Sequence, residues 1–227
     1  MKSGLLSIVL GMVVTASVAH AGGIALGSTR IIYPLESKKI ETSARNTSDK
    51  TSFLVQSWID DVTGKKDKSF FVTPPLFVSA PGNENKLRIM HTGTSLPKDR
   101  ESLFYFNSKA IPSVNKAETE NKNVLVIAAT TRVKLFVRPE GLKPSSDKAP
   151  EQLKFSQSGD NVTITNPTPY YITIGDMSVG GVPVKDAFMV PPLDKVTKEI
   201  KAARGTISVR TINDYGAYTS PMKFSFN

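Results

Sequence analysis

Apolar and polar residues alternate along most of this chain in short runs that turn residues separate. Runs such as "GIALGSTRIIYP", "TSFLVQSWIDD" and "ESLFYFNSKAIP" are rich in β-branched and aromatic residues and are bounded by Gly, Pro, Asn or Asp. Helical periodicity is nearly absent, because windows such as "KVTKEIKAA" are brief and lie between proline or glycine signals. The pattern predicts an all-β protein built of sandwiches.

One run departs from simple alternation. The stretch "NVLVIAATTRVKLFVRP", residues 123–139, has the length and β-branched content of a strand, but both alternating faces are apolar from Val124 to Ala129. A strand in a two-layer domain normally buries one face and exposes the other to water. The second apolar face therefore calls for a cover, for which a helix of the same chain, a second copy or another partner all remain open.

The strand pattern stops and restarts once. Residues 138–152 carry three prolines and mixed charge, which suits a hinge better than a core strand. Beyond them, "LKFSQSGDNVTITNP", "PYYITIGDMSV" and "GTISVRTINDYG" form a second set of strands. We predict two domains, residues 22–142 and 143–227, each large enough to bury its own core.

The first residues, "MKSGLLSIVLGMVVTASVAHA", join one lysine, an apolar run and a small-x-small end at Ala19-His20-Ala21. This order predicts a cleavable secretory signal peptide over residues 1–21, with the mature chain starting at Gly22. The chain has no cysteine. The exported product must therefore be held together by packing, and a cysteine nucleophile or metal–thiolate site is excluded.

Charge and candidate chemistry favour binding over catalysis. The formal net charge is +9, or 28 − 20 = +8 without Lys2, but the basic residues are interspersed with acidic ones and export argues against nucleic acid as a partner. The mature chain has one histidine, His91, and the neighbouring carboxylates of Asp60 and Asp61 point to opposite sides of a strand end. We expect no catalytic residue, no metal, no cofactor and no membrane insertion.

Three motifs resemble one known family. "LPKDRESLFYFNSKAIPS" (residues 96–113), "TTRVKLFVRP" (residues 130–139) and "INDYG" (residues 212–216) are similar to the PapD/FimC-like periplasmic chaperones of the chaperone–usher pilus pathway. "GIALGSTRIIYP" and "TPPLFV" also look similar, so the resemblance covers almost the whole mature chain. One departure is Ser108, where the family usually has an aliphatic residue.

The resemblance implies two immunoglobulin-like β-sandwich domains in a boomerang arrangement with a cleft between them. It implies a periplasmic chaperone, not an enzyme, that uses no ATP and no cofactor. Such a chaperone binds and caps pilin subunits and delivers them to an outer-membrane usher. The short polar connection over residues 112–123 resembles the short-loop branch of the family.

The resemblance also assigns the second apolar face of residues 123–139. Pilins are incomplete sandwiches, and the chaperone lends them a strand. The donated side chains should be Leu125, Ile127 and Ala129, facing the pilin groove while the other face of the strand packs on the chaperone's own core. Main-chain hydrogen bonds would give affinity, and alternating side chains would fill pockets.

Charged residues complete the predicted site. By the resemblance, Arg30 and Lys134 anchor the C-terminal carboxylate of the pilin, which fixes the register of the donated strand. Glu101, Arg138 and Asp214 match a charged cluster that bridges the domains and is structural. Without the resemblance, all five would be interpreted as solvated surface charges.

Two alternatives remain at this stage. An exported pilin or adhesin subunit would share the all-β character, but pilins typically carry a disulfide and an N-terminal donor extension. A secreted hydrolase would need two carboxylates converging in a cleft. We also expect the free protein to cover Leu125 and Ile127 by self-association or with a loop, because an exposed apolar edge promotes aggregation.

Overall fold

The computed structural model describes residues 22–93, 95–114, 123–201 and 204–226. The predicted signal peptide and residues 115–122 of the short connection lie outside these ranges. In the described first half, nine strands, β1 to β9, span Ile24–Leu26, Arg30–Pro34, Ile40–Asn46, Phe53–Asp60, Phe70–Thr73, Leu76–Ser79, Glu84–His91, Ser102–Pro112 and Ala129–Arg138.

These strands form a two-layer sandwich. One sheet has the order β1-β3-β7-β5 and the other β2-β9-β8-β4-β6. Paired strands are antiparallel except β2 and β9, which run parallel. The core between the sheets holds the largest fully buried side chains of this half, which include Tyr33, Ile59, Leu87, Phe106 and Leu135.

The second half forms another sandwich, reached through a 3₁₀ helix at Ala149–Gln152. Its sheets have the orders β10-β11-β15 and β13-β12-β16-β17, with β14 paired to β12. The prediction of an all-β fold with two immunoglobulin-like sandwiches is confirmed. Strands β10 to β17 span Lys154–Ser158, Asn161–Asn166, Ile172–Val179, Val182–Pro183, Phe188–Val190, Asp194–Glu199, Ile207–Thr211 and Met222–Phe224.

The first predicted strand is divided in two. "GIALGSTRIIYP" gives β1, which pairs with β3 in one sheet, and β2, which pairs with β9 in the other. The chain crosses between the layers at Gly27, where an added Cβ would lie 2.5 Å from Ser43 Oγ. Any other residue at the crossing would require the Ser43 hydroxyl to move, and the crossing lets one segment close both sheets of the sandwich.

Strand β15 was missed in the sequence because "KVTKEIK" is mostly polar. β15 lies at an edge of its sheet, where among the described strands it pairs with β11 alone and places Val196 opposite Ile164. Its inward-facing phase also holds Lys198, whose ammonium lies 4.7 Å from the Phe188 ring. A charge on the inner face of an edge strand discourages pairing with another chain.

Strand β9 is shorter than predicted. It starts at Ala129, and residues 123–128 form no strand. Both faces there are open: Leu125 and Ile127 are 84% and 73% exposed, and Val124 and Val126 are 47% and 41% exposed. The prediction that one face of this stretch packs on the protein's own core is wrong for residues 123–128.

Residues 123–128 form no strand because the neighbouring strands β8 and β2 do not extend alongside them. The register that pairs Ala110 with Ala129 places Pro112, the last residue of β8, opposite residue 127, and proline has no N–H to donate. On the other side, β2 covers only Lys134–Arg138. Among the described residues, 123–128 therefore leave the sandwich without a paired strand, and 129–133 keep one unpaired backbone edge, which we call the open edge.

Candidate functional site

Two basic side chains stand together where the open edge ends. Arg30, the first residue of β2, is paired in register with Lys134 of β9. Directly paired residues project to the same face of a sheet, so the two cations are neighbours. Among the described residues, no carboxylate lies within ion-pair distance of either side chain. The pair therefore has positive charge available for an anion.

Burial makes these charges unfavourable in the folded protein. The pKa of Lys134 is lowered by burial and, secondarily, by the positive charge of Arg30. Burial also lowers the pKa of Arg30, although Asp214 and Glu101 partly oppose the shift. Arg30 Nη1 donates a hydrogen bond to the carbonyl oxygen of Ile212 at 2.9 Å, which ties it to the second sandwich. An incoming carboxylate would relieve both charges.

Arg30 lies on the wall of a cleft between the sandwiches. The cleft holds a cavity of about 310 Å³, and Lys134 stands beside it without lining it. Thr173 contributes a buried hydroxyl that has no hydrogen-bond partner among the described residues. The motif at residues 212–216 supplies Ile212 and Tyr215 of this wall, whereas no sequence motif pointed to Tyr171 and Thr173. The wall includes Arg30, Phe136, Tyr171, Thr173, Ile212 and Tyr215.

The structure brings Glu101, Arg138 and Asp214 together on the wall of this same cleft. Arg138 Nε donates to Glu101 Oε1 at 2.7 Å, and its two terminal nitrogens donate to the two oxygens of Asp214 at 2.7 and 2.8 Å. Glu101 Oε2 accepts the N–H of Tyr171 at 2.8 Å. Residues from both sandwiches thus share one planar guanidinium, whose fixed fork restricts their relative orientation.

Burial and ion pairing shift the pKa values of Glu101 and Asp214 in opposite directions. Burial raises the pKa of Glu101, whose side chain is 1% exposed, against the opposing effect of Arg138. Burial also works against the charge of Asp214, but hydrogen bonds and positive charge from Arg138 hold its pKa below the ordinary value. Asp214 is therefore the carboxylate that stabilises the folded protein by being ionised.

An Asp214→Asn variant should be less stable than the wild type near neutral pH, on the order of 1–2 kcal/mol, because a charged hydrogen-bond pair is lost. Since the folded-state pKa of Asp214 is lowered, its contribution is full above the unfolded pKa of about 4 and disappears as pH falls through the folded-state pKa. Urea unfolding at several pH values measures the difference. The control is Asp99→Asn, because Asp99 forms an exposed pair with Arg100. A stability difference between the wild type and Asp214→Asn that widened in acid would contradict this assignment.

The predicted donor residues lie on the core-facing phase of β9. Val133, Leu135 and Val137 of this phase are buried in the first sandwich. Farther along it, Ile127 and Ala129 line a groove of about 300 Å³ at the end of the sandwich. The predicted division into one face for the core and the other for the partner is therefore wrong. The donor phase continues the core, and Lys134 lies on the opposite phase.

The other candidate groups lie away from the cleft. His91 packs on Phe70 with ring centroids 4.8 Å apart, and its buried Nε2 has no hydrogen-bond partner among the described residues. Burial lowers the pKa of His91. Asp60 is buried and bonded to Trp58 and Asn107, whereas the exposed Asp61 caps a turn through Thr63. The two carboxylates do not converge on one space.

Two immunoglobulin-like sandwiches that meet at a cleft, with an open strand edge that ends at the Arg30–Lys134 pair beside it, define a two-domain protein suited to binding another chain. Family comparison gives the class a narrower identity. Residues 23–143 match the family model described as pili and flagellar-assembly chaperone, PapD N-terminal domain, and residues 148–223 match pili assembly chaperone PapD, C-terminal domain. The chain belongs to this family of pilus-assembly chaperones, which confirms the resemblance found in the sequence.

Individual relatives agree with the family assignment. The probable fimbrial chaperone SfmC of Escherichia coli K12 is 43% identical, over 98% of this chain and 97% of that protein. The crystal structure of the periplasmic chaperone SfaE is 43% identical with a TM-score of 0.78, covering 89% of this chain and 100% of that one. The alternative of a pilin or adhesin subunit is not favoured.

A third similar structure comes from a complex between a chaperone and a pilin. A chain in the solved complex of the Salmonella enterica SafA pilin with the SafB chaperone is 30% identical to this protein. Its TM-score is 0.81, and the match covers 89% of this chain and 96% of that chain. The fold described here is therefore also found in a chaperone–pilin complex.

Proposed function

We propose that this protein is a periplasmic chaperone that caps pilin subunits by donor-strand complementation and delivers them to an outer-membrane usher. The observation that carries the proposal is the open edge of β9, which continues into the exposed residues 123–128. A strand with unpaired N–H and C=O groups and alternating apolar side chains is what an incomplete sandwich needs to close its groove. We call residues 123–133 the donor segment.

The basic pair fixes the direction of the added strand. A subunit whose terminal carboxylate lies between Arg30 and Lys134 has its last residue beside Val133, immediately before β2 begins at Arg30. The rest of its final strand must then follow the open edge away from the cleft, which makes it parallel to β9. The anchored carboxylate sets the register, so Leu125, Ile127 and Ala129 each meet a defined pocket. A slip of one residue would turn every side chain to the wrong face.

The remaining predictions support this role from outside the binding surface. The cluster of Glu101, Arg138 and Asp214 would hold the two domains, residues 22–142 and 143–227, at the angle that keeps the cleft open. Residues 1–21 would direct export and be removed. In the periplasm the chain would meet subunits as they emerge, without ATP, a metal or another cofactor. Membership of the short-loop branch stays a prediction from the sequence.

A Leu125→Asp variant should lose pilin subunits while folding normally. Leu125 is exposed in the free chain, so the substitution removes no core contact. In the complex it would place a charge in an apolar pocket and lose about 2–3 kcal/mol of leucine burial, roughly a hundredfold in affinity. Affinity capture from periplasmic extracts of the native host, followed by mass spectrometry for pilin subunits, measures the effect.

Val126→Asp is the matched control, because it introduces the same charge one residue away on the opposite alternation. It should retain most of the captured subunits. If both variants captured pilins as the wild type does, or if the wild type captured none, donor-strand complementation would be the wrong function.

We also expect the exposed side chains of Leu125 and Ile127 to cause self-association of the free protein. Leu125 and Ile127 present apolar surface that a second copy would cover, so the wild type should show a concentration-dependent sedimentation coefficient. Leu125→Asp should sediment as a monomer. A wild type that stays monomeric, with fast amide exchange throughout residues 123–128, would contradict this expectation.

A further inference from the structure

A row of hydroxyl side chains crosses the inner face of the first sandwich. Ser57 of β4 is paired in register with Ser108 of β8, and Ser108 is paired with Thr131 of β9. Directly paired residues project to the same face of a sheet, so the three side chains form one line, which we call the hydroxyl row. Ser57 and Ser108 are buried, whereas Thr131 is exposed at the open edge. The row therefore runs from the interior of the sandwich to the surface that a subunit would meet.

The two buried hydroxyls of this row are unfavourable in the folded protein. Neither Ser57 Oγ nor Ser108 Oγ has a hydrogen-bond partner among the described residues. A hydroxyl that is buried without a partner loses its hydrogen bonds to water and gains none in return, which disfavours its burial. The closed sandwich is therefore weakened along this row.

The hydroxyl row lies between two apolar clusters. On one side of it, the next row of paired residues belongs to the larger cluster, which we call the main core, and consists of Ile59, Phe106 and Val133. On the other side, Val55 is paired with Ala110, and both join Phe53 in a separate cluster of three buried residues. The apolar interior of this sheet is therefore interrupted by the hydroxyl row.

The smaller cluster has little support from the rest of the sandwich. No buried residue of the described chain belongs to both clusters, and the partly buried Ile24 and Phe77 pack against each of them. The groove of about 300 Å³ that Ile127 and Ala129 line also reaches the smaller cluster, which leaves it incompletely covered. Regions with few buried apolar contacts and an exposed backbone open at lower free energy than a packed core. This end of the sandwich has both properties, because β9 keeps its open edge here.

We propose that the hydroxyl row divides the first sandwich into the main core and a donor end that opens independently of it. The donor end consists of the strand segments beyond the row, which are residues 53–56 of β4, 109–112 of β8 and 129–130 of β9. Its opening separates the smaller cluster and gives the hydroxyls of Ser57 and Ser108 access to water. The main core stays folded during this opening.

The division places the two parts of the binding surface on different sides of the row. Lys134 and its strand partner Arg30 lie on the side of the main core, whereas Leu125, Ile127 and Ala129 lie on the side of the donor end. The use of the opening rests on the proposed function. The carboxylate anchor stays in place while the donor segment adapts to the groove of a subunit.

Native-state hydrogen exchange of the full mature chain, followed amide by amide at low urea concentrations, tests the division. All four amides to be compared belong to β8, between its neighbours β9 and β4. Lys109 and Ala110, in the donor end, should exchange about tenfold faster than Tyr105 and Phe106, beside the main core. Their exchange should also depend less on urea, because a local opening exposes less surface than complete unfolding. Equal rates with equal urea dependence at all four positions would overturn the proposal.

Removal of the hydroxyls tests the row itself. Ser57→Ala and Ser108→Ala each delete one unpartnered buried hydroxyl without adding volume, so each should slow the exchange of Lys109 and Ala110 about tenfold. Thr173→Val is the matched control, because it deletes an unpartnered buried hydroxyl of the second sandwich and should leave these rates unchanged. Unchanged or faster exchange in both serine variants would show that the row is not where the sandwich divides.

A substitution in the main core separates local opening from unfolding of the whole sandwich. Ile89 is fully buried in the main core, so Ile89→Val should speed the exchange of Tyr105 and Phe106 about fivefold. The rates of Lys109 and Ala110 should not change, because the main core remains folded when the donor end opens. If all four rates rise together, the sandwich opens as one unit and the proposal is wrong.

These exchange measurements use the free chain, which separates this proposal from the proposed function. Independent opening of the donor end, combined with a Leu125→Asp variant that captures pilins normally, would support the division and refute donor-strand complementation. Capture that depends on Leu125, combined with uniform exchange along β8, would support the function and overturn the division.

Discussion

A Lys134→Met variant is expected to unfold at a higher temperature than the wild type and yet to lose its pilin subunits. Lys134 lies beside Arg30, and its pKa is lowered by burial and by that neighbouring charge. A charge that folding disfavours costs stability, so its replacement by an apolar side chain of similar length should stabilise the free protein. In the complex, the same replacement removes one partner of the anchored carboxylate, at a cost of about 2–5 kcal/mol.

The two halves of this expectation are measured separately. Differential scanning calorimetry gives the stability, and capture of pilin subunits gives the function. The stability gain should shrink as pH rises through the lowered pKa of Lys134 toward the ordinary lysine value of about 10.4, because the folded wild type then loses the unfavourable charge. Lys109→Met, which removes a cation from the same face away from Arg30, is the control and should keep its subunits. A Lys134→Met protein that captures subunits normally would refute the anchor.

An Arg138→Met variant should be severely destabilised, by about 3–5 kcal/mol near neutral pH, because a buried ion pair loses its cation. The Glu101 carboxylate, 1% exposed, would be left with only the N–H of Tyr171 as a hydrogen-bond donor among the described contacts. Its pKa, already raised by burial, would rise further. Since a raised carboxyl pKa in the folded state removes stability as pH rises, the variant should be least impaired in acid.

Urea unfolding followed by circular dichroism measures this loss, with Arg100→Met, from an exposed pair, as the surface control. The double variant Glu101→Gln/Arg138→Met should recover much of the stability, because it removes the uncompensated charge. A loss in Arg138→Met that the second substitution did not reduce would show that the guanidinium acts mainly by packing.

Sequence reasoning was most successful where local pattern decides structure. Regular alternation predicted strands such as β4 and β7, since each buries one face in its own sandwich. The motif resemblance located Arg30, Lys134 and the three charged residues that the structure places in one cluster. The resemblance could identify these residues because they lie within or beside short motifs. The register of the paired strands then brings residues that are distant in sequence together in the fold.

The parts that sequence could not predict depend on absent or distant partners. Residues 123–128 have strand composition, but a strand also needs a neighbour, and β8 ends at Pro112 while β2 begins at Arg30. The hydrogen bond from Arg30 to the Ile212 carbonyl joins residues 182 positions apart. The alignment of Ser57, Ser108 and Thr131 in one row likewise depends on register between strands, which alternation within one strand does not reveal.

The point where β2 begins also limits how long a bound chain end can be. At about 3.3 Å per residue, the donor segment offers an edge roughly 35 Å long, which is enough for a long strand of about ten residues. Past the basic pair, the way along β9 is blocked by Arg30 and the rest of β2. In the proposed complex, a subunit with surplus residues after its final strand could not seat its terminus, so the chaperone would distinguish correctly finished chain ends from extended ones by length as well as by charge.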